Sequence, residues 1–365
     1  MTRIRISHPG SLARCHFDAA SSPTFSIPAA LRDRYCCDRI CVATPLREET
    51  VGLRGLVMTL VVLFAGAIGA GGDRPVIRKL GTIDCDLVEA TPVVFKGRLY
   101  RFEYVRAQYR PNKTGDSYFR FIDVKSGEAT PAFAAGYQLG SAYVEGDTVY
   151  AYGVKIWGAS AIQVFWSRDL KTWQSKTALE VPKWGIYNTS VCKARKGYVM
   201  AIELGEPPEE VGVRFTMRFA ESDDLVNWRV LPSDCVYSKD RYTACPAIRF
   251  LDDTYYMIYL EEKPGPTYAP HIVRSKDLVN WEQSPFNPIM TYSDEDKKIA
   301  NPKLTPEERE RIAKAVDINN SDVDLCEFDG KTVIYYSWGN QQGTEFLAEA
   351  VYDGPLASFL RGFFP

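Results

Sequence analysis

Apolar and polar residues alternate along most of this chain in a pattern that repeats. Five times a short apolar strand runs into a Gly or Asp turn and returns as a second, mostly Tyr-containing strand: Thr91 to Tyr100, Ser141 to Tyr150, Ser190 to Val199, Pro246 to Tyr256 and Asp324 to Val333. Turn residues between two such runs are the signature of a β-hairpin. The middle three hairpins are each followed by another apolar strand and then by a second recurring unit. Its copies are Ser167-Arg168-Asp169-Leu170-Lys171-Thr172-Trp173, Ser222-Asp223-Asp224-Leu225-Val226-Asn227-Trp228 and Ser275-Lys276-Asp277-Leu278-Val279-Asn280-Trp281, spaced about 55 residues apart. Ser and Asp at these offsets bond the backbone of their own turn. A period of this length belongs to propeller blades and not to helical solenoids. Five hairpins therefore predict an all-β, five-bladed β-propeller of four-stranded antiparallel blades. A Trp recurring in the three turns is expected to wedge between neighbouring sheets.

Three stretches depart from the pattern. Thr305 to Val316 reads as one short inserted helix, with Thr305 as N-cap, Pro306 in the first turn, Glu308 closing a capping box, and Ile312, Ala315 and Val316 on one apolar face. Residues 1–55 show neither helical nor strand periodicity and read as a disordered or mis-assigned extension. Leu56 to Ala70 is then apolar apart from Thr59 and its glycines and ends in small residues, the build of a signal peptide over 56–72. That run is short for a membrane span, so a secreted or periplasmic protein without stable membrane insertion is expected, with the propeller over 73–365. Val76 to Leu80 is expected to add a strand to the last blade and close the ring.

Composition narrows the chemistry. A formal charge of -2 and the lack of a basic block argue against a nucleic-acid partner. Cys85, Cys192, Cys235, Cys245 and Cys326 show no metal-ligand spacing. Cys192, Cys245 and Cys326 fall in strands and read as small buried hydrophobes, with Cys235 and Cys245 the one candidate disulfide. His271 is the only histidine beyond the N-terminal stretch, and its place at the start of an outer strand suits a structural role. No cofactor is expected, although Asp322 and Asp324 have the chemistry to contribute to a calcium site.

In a propeller the first strand of each blade lies nearest the axis and the second returns beside it. The start of the first and the end of the second therefore emerge on one rim. Aligned on their turns, the hairpins place Glu89, Asn188, Thr243 and Asp322 near the starts of first strands, and Arg106, Glu206, Glu262 and Asn340 at the ends of second strands. Converging carboxylates are what cleavage of a glycosidic bond requires: one protonated to give a proton to the leaving oxygen, one ionised to activate water or attack. Glu89 is the expected base, Glu206 the acid with Glu262 as rival, and Asp322 the modulator of their pKa values. Asp324 shares a strand face with Asp322. Arg106 would hold a carboxylate ionised and anchor a hydroxyl or an acidic sugar. Tyr187, Trp338, Asn340 and Gln341 offer the rings and amides that bind sugars, alongside Asn188.

These hairpins and Ser-x-Asp-Leu-x-x-Trp turns resemble the five-bladed propeller glycosidases of glycoside hydrolase families 43, 32 and 117, over roughly residues 80–365. The resemblance implies a glycosidase with a base at the head of the first inner strand and two further carboxylates. The family-43 Asp-Pro is replaced here by Thr91-Pro92, leaving Glu89 as the nearest carboxylate, and the family-32 Asn-Asp-Pro-Asn is absent. Asn320-Ser321-Asp322 is most similar to the family-117 neighbourhood. The expected substrate is a plant or algal poly- or oligosaccharide. The alternatives are a non-catalytic carbohydrate-binding propeller and, behind it, a sialidase-like propeller.

Overall fold

Each predicted hairpin becomes the inner half of a blade. The computed structural model describes residues 74–213, 215–265, 267–340 and 344–365, so the extension and signal peptide expected before residue 73 lie outside the described residues. The first strand, β1 (Arg78–Cys85), does not join the first blade. Blade one consists of β2 (Ala90–Phe95), β3 (Arg98–Val105) and β4 (Tyr118–Asp123), with its outer edge completed only by bridges from Phe119 to Phe133 and from Ile122 to Ala129. Blade two is β5 (Gln138–Glu145), β6 (Thr148–Val154), β7 (Ala161–Ser167) and β8 (Gln174–Glu180). Blade three comprises β9 (Gly185–Lys193), β10 (Tyr198–Glu206), β11 (Thr216–Ser222), β12 (Arg229–Val230) and β13 (Val236–Tyr237), the last two both pairing with β11. Blade four is β14 (Thr243–Leu251), β15 (Thr254–Lys263), β16 (Thr267–Ser275) and β17 (Trp281–Gln283). Blade five holds β18 (Asn319–Phe328), β19 (Lys331–Gly339) and β20 (Glu345–Tyr352), and β1 pairs antiparallel with β20. The ring is thus closed by an N-terminal strand, longer than the Val76 to Leu80 expected.

The repeated turns do what their residues predict. In the third copy, Ser275 Oγ accepts from Leu278 N at 2.9 Å, and Asp277 Oδ1 accepts from Val279 N at 2.9 Å and Asn280 N at 2.8 Å. The other two turns repeat these bonds. Each closing Trp packs on the preceding blade. Trp173 stacks on Phe133 at 3.7 Å, Trp228 meets Tyr152 edge-on at 5.9 Å, and Trp281 stacks on Phe219 at 5.6 Å. The turns therefore sit at the outer edge and lock blade to blade, away from the axis.

Three smaller helices complete the fold: α1 (Pro208–Val211), α2 (Pro306–Lys314) and α3 (Leu356–Gly362). The Thr305 capping box forms as predicted, but α2 stops at Lys314 because Ala315 turns extended. Ile312 is buried, whereas Val316 is 61% exposed and lies outside the apolar face assigned to it. All five described cysteines are free, so Cys235 and Cys245 are not joined. Among the described residues no helix is long and apolar enough to cross a membrane.

Candidate active site

The inner strands β2, β5, β9, β14 and β18 surround the axis, and four blades carry a left-handed residue at the head of theirs: Glu89 (φ 55°), Leu139 (52°), Cys245 (51°) and Asp322 (51°). Few non-glycine residues adopt that conformation. In β5, β14 and β18 it coincides with a shift of pairing register, the mark of a β-bulge. A bulge takes a side chain out of the ordinary alternation and re-aims it. Cys245 and Asp322, so re-aimed, line one small pocket of about 30 Å³ on the axis with Glu89 and Asn188.

A third carboxyl joins them from a second strand. Glu203 on β10 is buried, and its Oε2 accepts from Cys245 N at 2.7 Å and from Asn188 Nδ2 at 3.1 Å. Asp322 Oδ2 accepts from Ser321 Oγ at 2.7 Å. Glu89 Oε2 is shut off from solvent and has no hydrogen-bond partner. That burial, then the negative charge of Asp322, push the Glu89 carboxyl up to about 8, against the pull of the Arg106 guanidinium. Arg106 donates from Nη1 to Glu345 at 2.7 Å, while its Nε is buried without a partner. The result is a carboxyl that keeps its proton at neutral pH beside the negative charge of Asp322.

Arg106 and Tyr104, which interact electrostatically with Glu89, line a larger cavity of about 860 Å³ together with Gln138, Trp157, Asp86 and Arg311 among others. Around the other side of the mouth runs a chain of partly exposed rings. Trp157 meets Tyr187 at 6.4 Å, Tyr187 meets Phe215 at 4.7 Å, Phe215 meets Tyr242 at 5.6 Å, and Tyr242 meets Tyr268 at 5.3 Å.

Of the residues expected at the site, Glu89, Asp322, Asp324 and Asn188 share the axial pocket, Arg106 lines the larger cavity within electrostatic reach of Glu89, and Tyr187 packs in the chain of rings. Asp324 is engaged by Arg249 at 2.5 Å, and among the described residues no group of three or more His, Cys, Asp or Glu is arranged to hold a metal ion. Glu206 and Glu262 are exposed at strand ends, and it is Glu203 that reaches the cluster. Trp338 is not a stacking surface: it is 1% exposed, packs on Phe346 at 4.5 Å and donates to Thr82 Oγ1 at 2.8 Å. Asn340 bonds the Thr344 backbone, and Gln341 lies outside the described residues. His271 is buried in blade four, with Nδ1 bonded to Ala269 O at 3.0 Å. Sequence reasoning passed over Glu203, Cys245 and the rings Trp157, Phe215 and Tyr242. The signal for Cys245 was its position, equivalent to those of Glu89 and Asp322 at the head of an inner strand.

No protein-family model and no curated protein matches the chain. Solved structures do. One titled "Glycoside hydrolase" is similar at 14% identity over 78% of this chain and 92% of its own, with a TM-score of 0.54. A glycosyl hydrolase from Bacteroides ovatus matches at 13% identity over 76% and 91%, with a TM-score of 0.49. An N-acetylgalactosamine deacetylase from F. plautii, in complex with blood group B trisaccharide, matches at 10% identity over 79% and 94%, with a TM-score of 0.50. The likeness establishes the fold, which serves neighbours of more than one printed activity. The choice among activities rests on the site itself.

Proposed function

We propose that the chain is a glycoside hydrolase in which Glu89 is the general acid and Asp322 its ionised partner, with Glu203 as the fixed carboxylate behind them. The observation that carries this reading is the Glu89 carboxyl, held up to about 8 by burial and by Asp322 at the mouth of the axis. A carboxyl that keeps its proton at pH 7, set beside a second carboxyl group, is the arrangement glycosidic cleavage needs. In this reading Glu89 protonates the departing oxygen, and Asp322 activates water or attacks the anomeric carbon. Glu203, fixed by Cys245 N and Asn188, adds negative charge that keeps Glu89 protonated. The proposal thus reverses the sequence-based role of Glu89 from base to acid and moves the third carboxylate from Glu206 to Glu203. The substrate is taken to be a plant or algal saccharide met outside the cytoplasm, a placement that rests on the apolar run over 56–70.

The test is a screen of arabino-, xylo-, galacto- and agaro-oligosaccharides for released product. Glu89→Gln and Asp322→Asn should each lower kcat/KM at least about a hundredfold without altering the circular dichroism spectrum, the scale of lost general acid–base catalysis. Full activity in Glu89→Gln would overturn the assignment. Binding without turnover across the panel would instead favour a carbohydrate-binding propeller.

A further inference from the structure

The axial pocket, about 30 Å³, is too small to hold more than the reacting centre, yet Arg106 and Tyr104, whose electrostatic interactions reach Glu89 in that pocket, line a cavity nearly thirty times its volume, about 860 Å³. Three elements wall that cavity: the segment after β3 with Arg106 and Arg110, the loop between β6 and β7 with Trp157, and α2 through Arg311. The helix is pinned there. Arg311 donates to both carboxylate oxygens of Asp86 at 2.6 and 3.0 Å, and Glu307 accepts from Arg110 at 2.8 Å. Asp86 lies three residues before Glu89, so the same short segment aims the acid and anchors the wall.

Two properties of the lining bear on its occupant. Trp157 is 60% exposed and is the only Trp among the exposed large apolar residues described. Its contact with Tyr187 is nearly perpendicular, at 73°, and such a contact covers at most one face of the indole. An indole left open beside hydrogen-bonding groups suits the C–H face of a sugar ring, with the hydroxyls turned to the polar wall. The second property is charge balance. Arg106 has Glu345, Arg110 has Glu307 and Arg311 has Asp86, so each guanidinium already faces a carboxylate. An anionic ligand would compete with those acids, whereas a neutral polyol can bond to both signs at once.

We propose that this cavity seats a neutral sugar unit stacked on Trp157, next to the bond that is cleaved, and that α2 ends the site there, so that one or two units are held beyond the axial pocket and no more. The location of the bond rests on the glycosidase reading, and the occupancy of the cavity does not.

Calorimetric titration of the full chain carrying Glu89→Gln, which prevents turnover, reads this directly. The probes are neutral arabino-, xylo- and galacto-oligosaccharides of one to six units, and galacturonate oligomers of the same lengths. Affinity in at least one neutral series should rise from one unit to three and stay level to six. Adding Trp157→Ala should weaken the three-unit ligand about tenfold, and Trp157→Phe should retain most of the affinity. Galacturonates should bind more weakly than neutral chains. Affinity still climbing at six units, a preference for galacturonates, an unchanged value in Trp157→Ala, or no binding in any series would each overturn the proposal. Wild-type hydrolysis of the same panel is the separate readout: Trp157-dependent binding with no product would sink the glycosidase reading alone and leave the cavity assignment standing.

Discussion

Glu89 concentrates the chemistry and also a cost to stability. As the acid, it must be protonated, so kcat/KM should fall as pH rises through about 8. Asp322→Asn removes the second-largest cause of the upward shift, after burial, so whatever activity survives should lose its alkaline limb at a lower pH. An alkaline limb that does not move in Asp322→Asn would break the link between the two residues. Stability follows from the same shift. Below the ordinary 4.5 the carboxyl is neutral in both folded and unfolded chains; between 4.5 and about 8 the unfolded chain gives up the proton and the folded chain keeps it. Stability should therefore decline as pH rises across that window, and Glu89→Gln should raise Tm relative to wild type at pH 8 and change it little at pH 4. Glu89 and Asp322 were legible in the sequence because each is a polar residue set just ahead of an apolar strand. Glu203 was not, since counting from the turn fails once two register shifts intervene between Ile202 and Glu206. Trp338 misled for a different reason: β19 continues to Gly339, which carries the ring under β20 and not into the mouth.

At the scale of elements, the Ser-x-Asp-Leu-x-x-Trp turn is the part of the sequence that translated most directly into structure. Its bonds are local, so short-range sequence suffices to specify it, and each Asp is held well below the ordinary carboxylate range by the turn's own N–H groups. The Trp has a longer reach. Trp228 is buried, donates to Leu225 O at 3.2 Å and wedges against Tyr152 of the preceding blade. Trp228→Ala should cost about 3–5 kcal/mol by opening a cavity between blades two and three. Its alkaline limb of activity should stay where it is in the wild type, because the site lies at the other end of the blade. Chemical denaturation followed by a pH–rate profile reads both, and a shifted limb would show that the wedge and the axis are coupled. The helices were less legible. The α2 N-terminus has a side-chain capping box and was predicted, whereas α3 begins at Pro355 with no side-chain cap and gave no signal.

For the whole molecule, closure of the ring depends on a strand far from its partner in sequence, and a buried charge holds it. Gly81 lies at a bulge in β1 with φ +115°, where a Cβ would sit 2.3 Å from Lys298 O; the strand therefore lies hard against the segment leading to α2. Lys79 is 7% exposed and donates to Asp296 at 2.7 Å, Asn320 at 2.8 Å and Thr291 O at 2.7 Å, tying β1 to that segment and to β18. Asp296 is fully buried and also accepts from Tyr336 at 2.6 Å, while burial and Asp296 push the neighbouring Asp317 up to about 8. One ammonium thus compensates a pair of carboxyl groups that share little solvent. Lys79→Met leaves them without a counter-charge and should destabilise the fold by about 3–5 kcal/mol. The loss should grow with pH: without the Lys79 ammonium, whose charge now pulls it down, the folded Asp317 carboxyl holds its proton to still higher pH, whereas the unfolded chain, with that carboxyl near 3.8, does not hold it. Adding Asp296→Asn removes the orphaned charge and should return part of the stability, a coupling that urea denaturation of the single and double variants measures. A Lys79→Met protein within about 0.5 kcal/mol of wild type, the range of ordinary surface substitutions, would mean that the ring is closed by the β1–β20 backbone ladder alone.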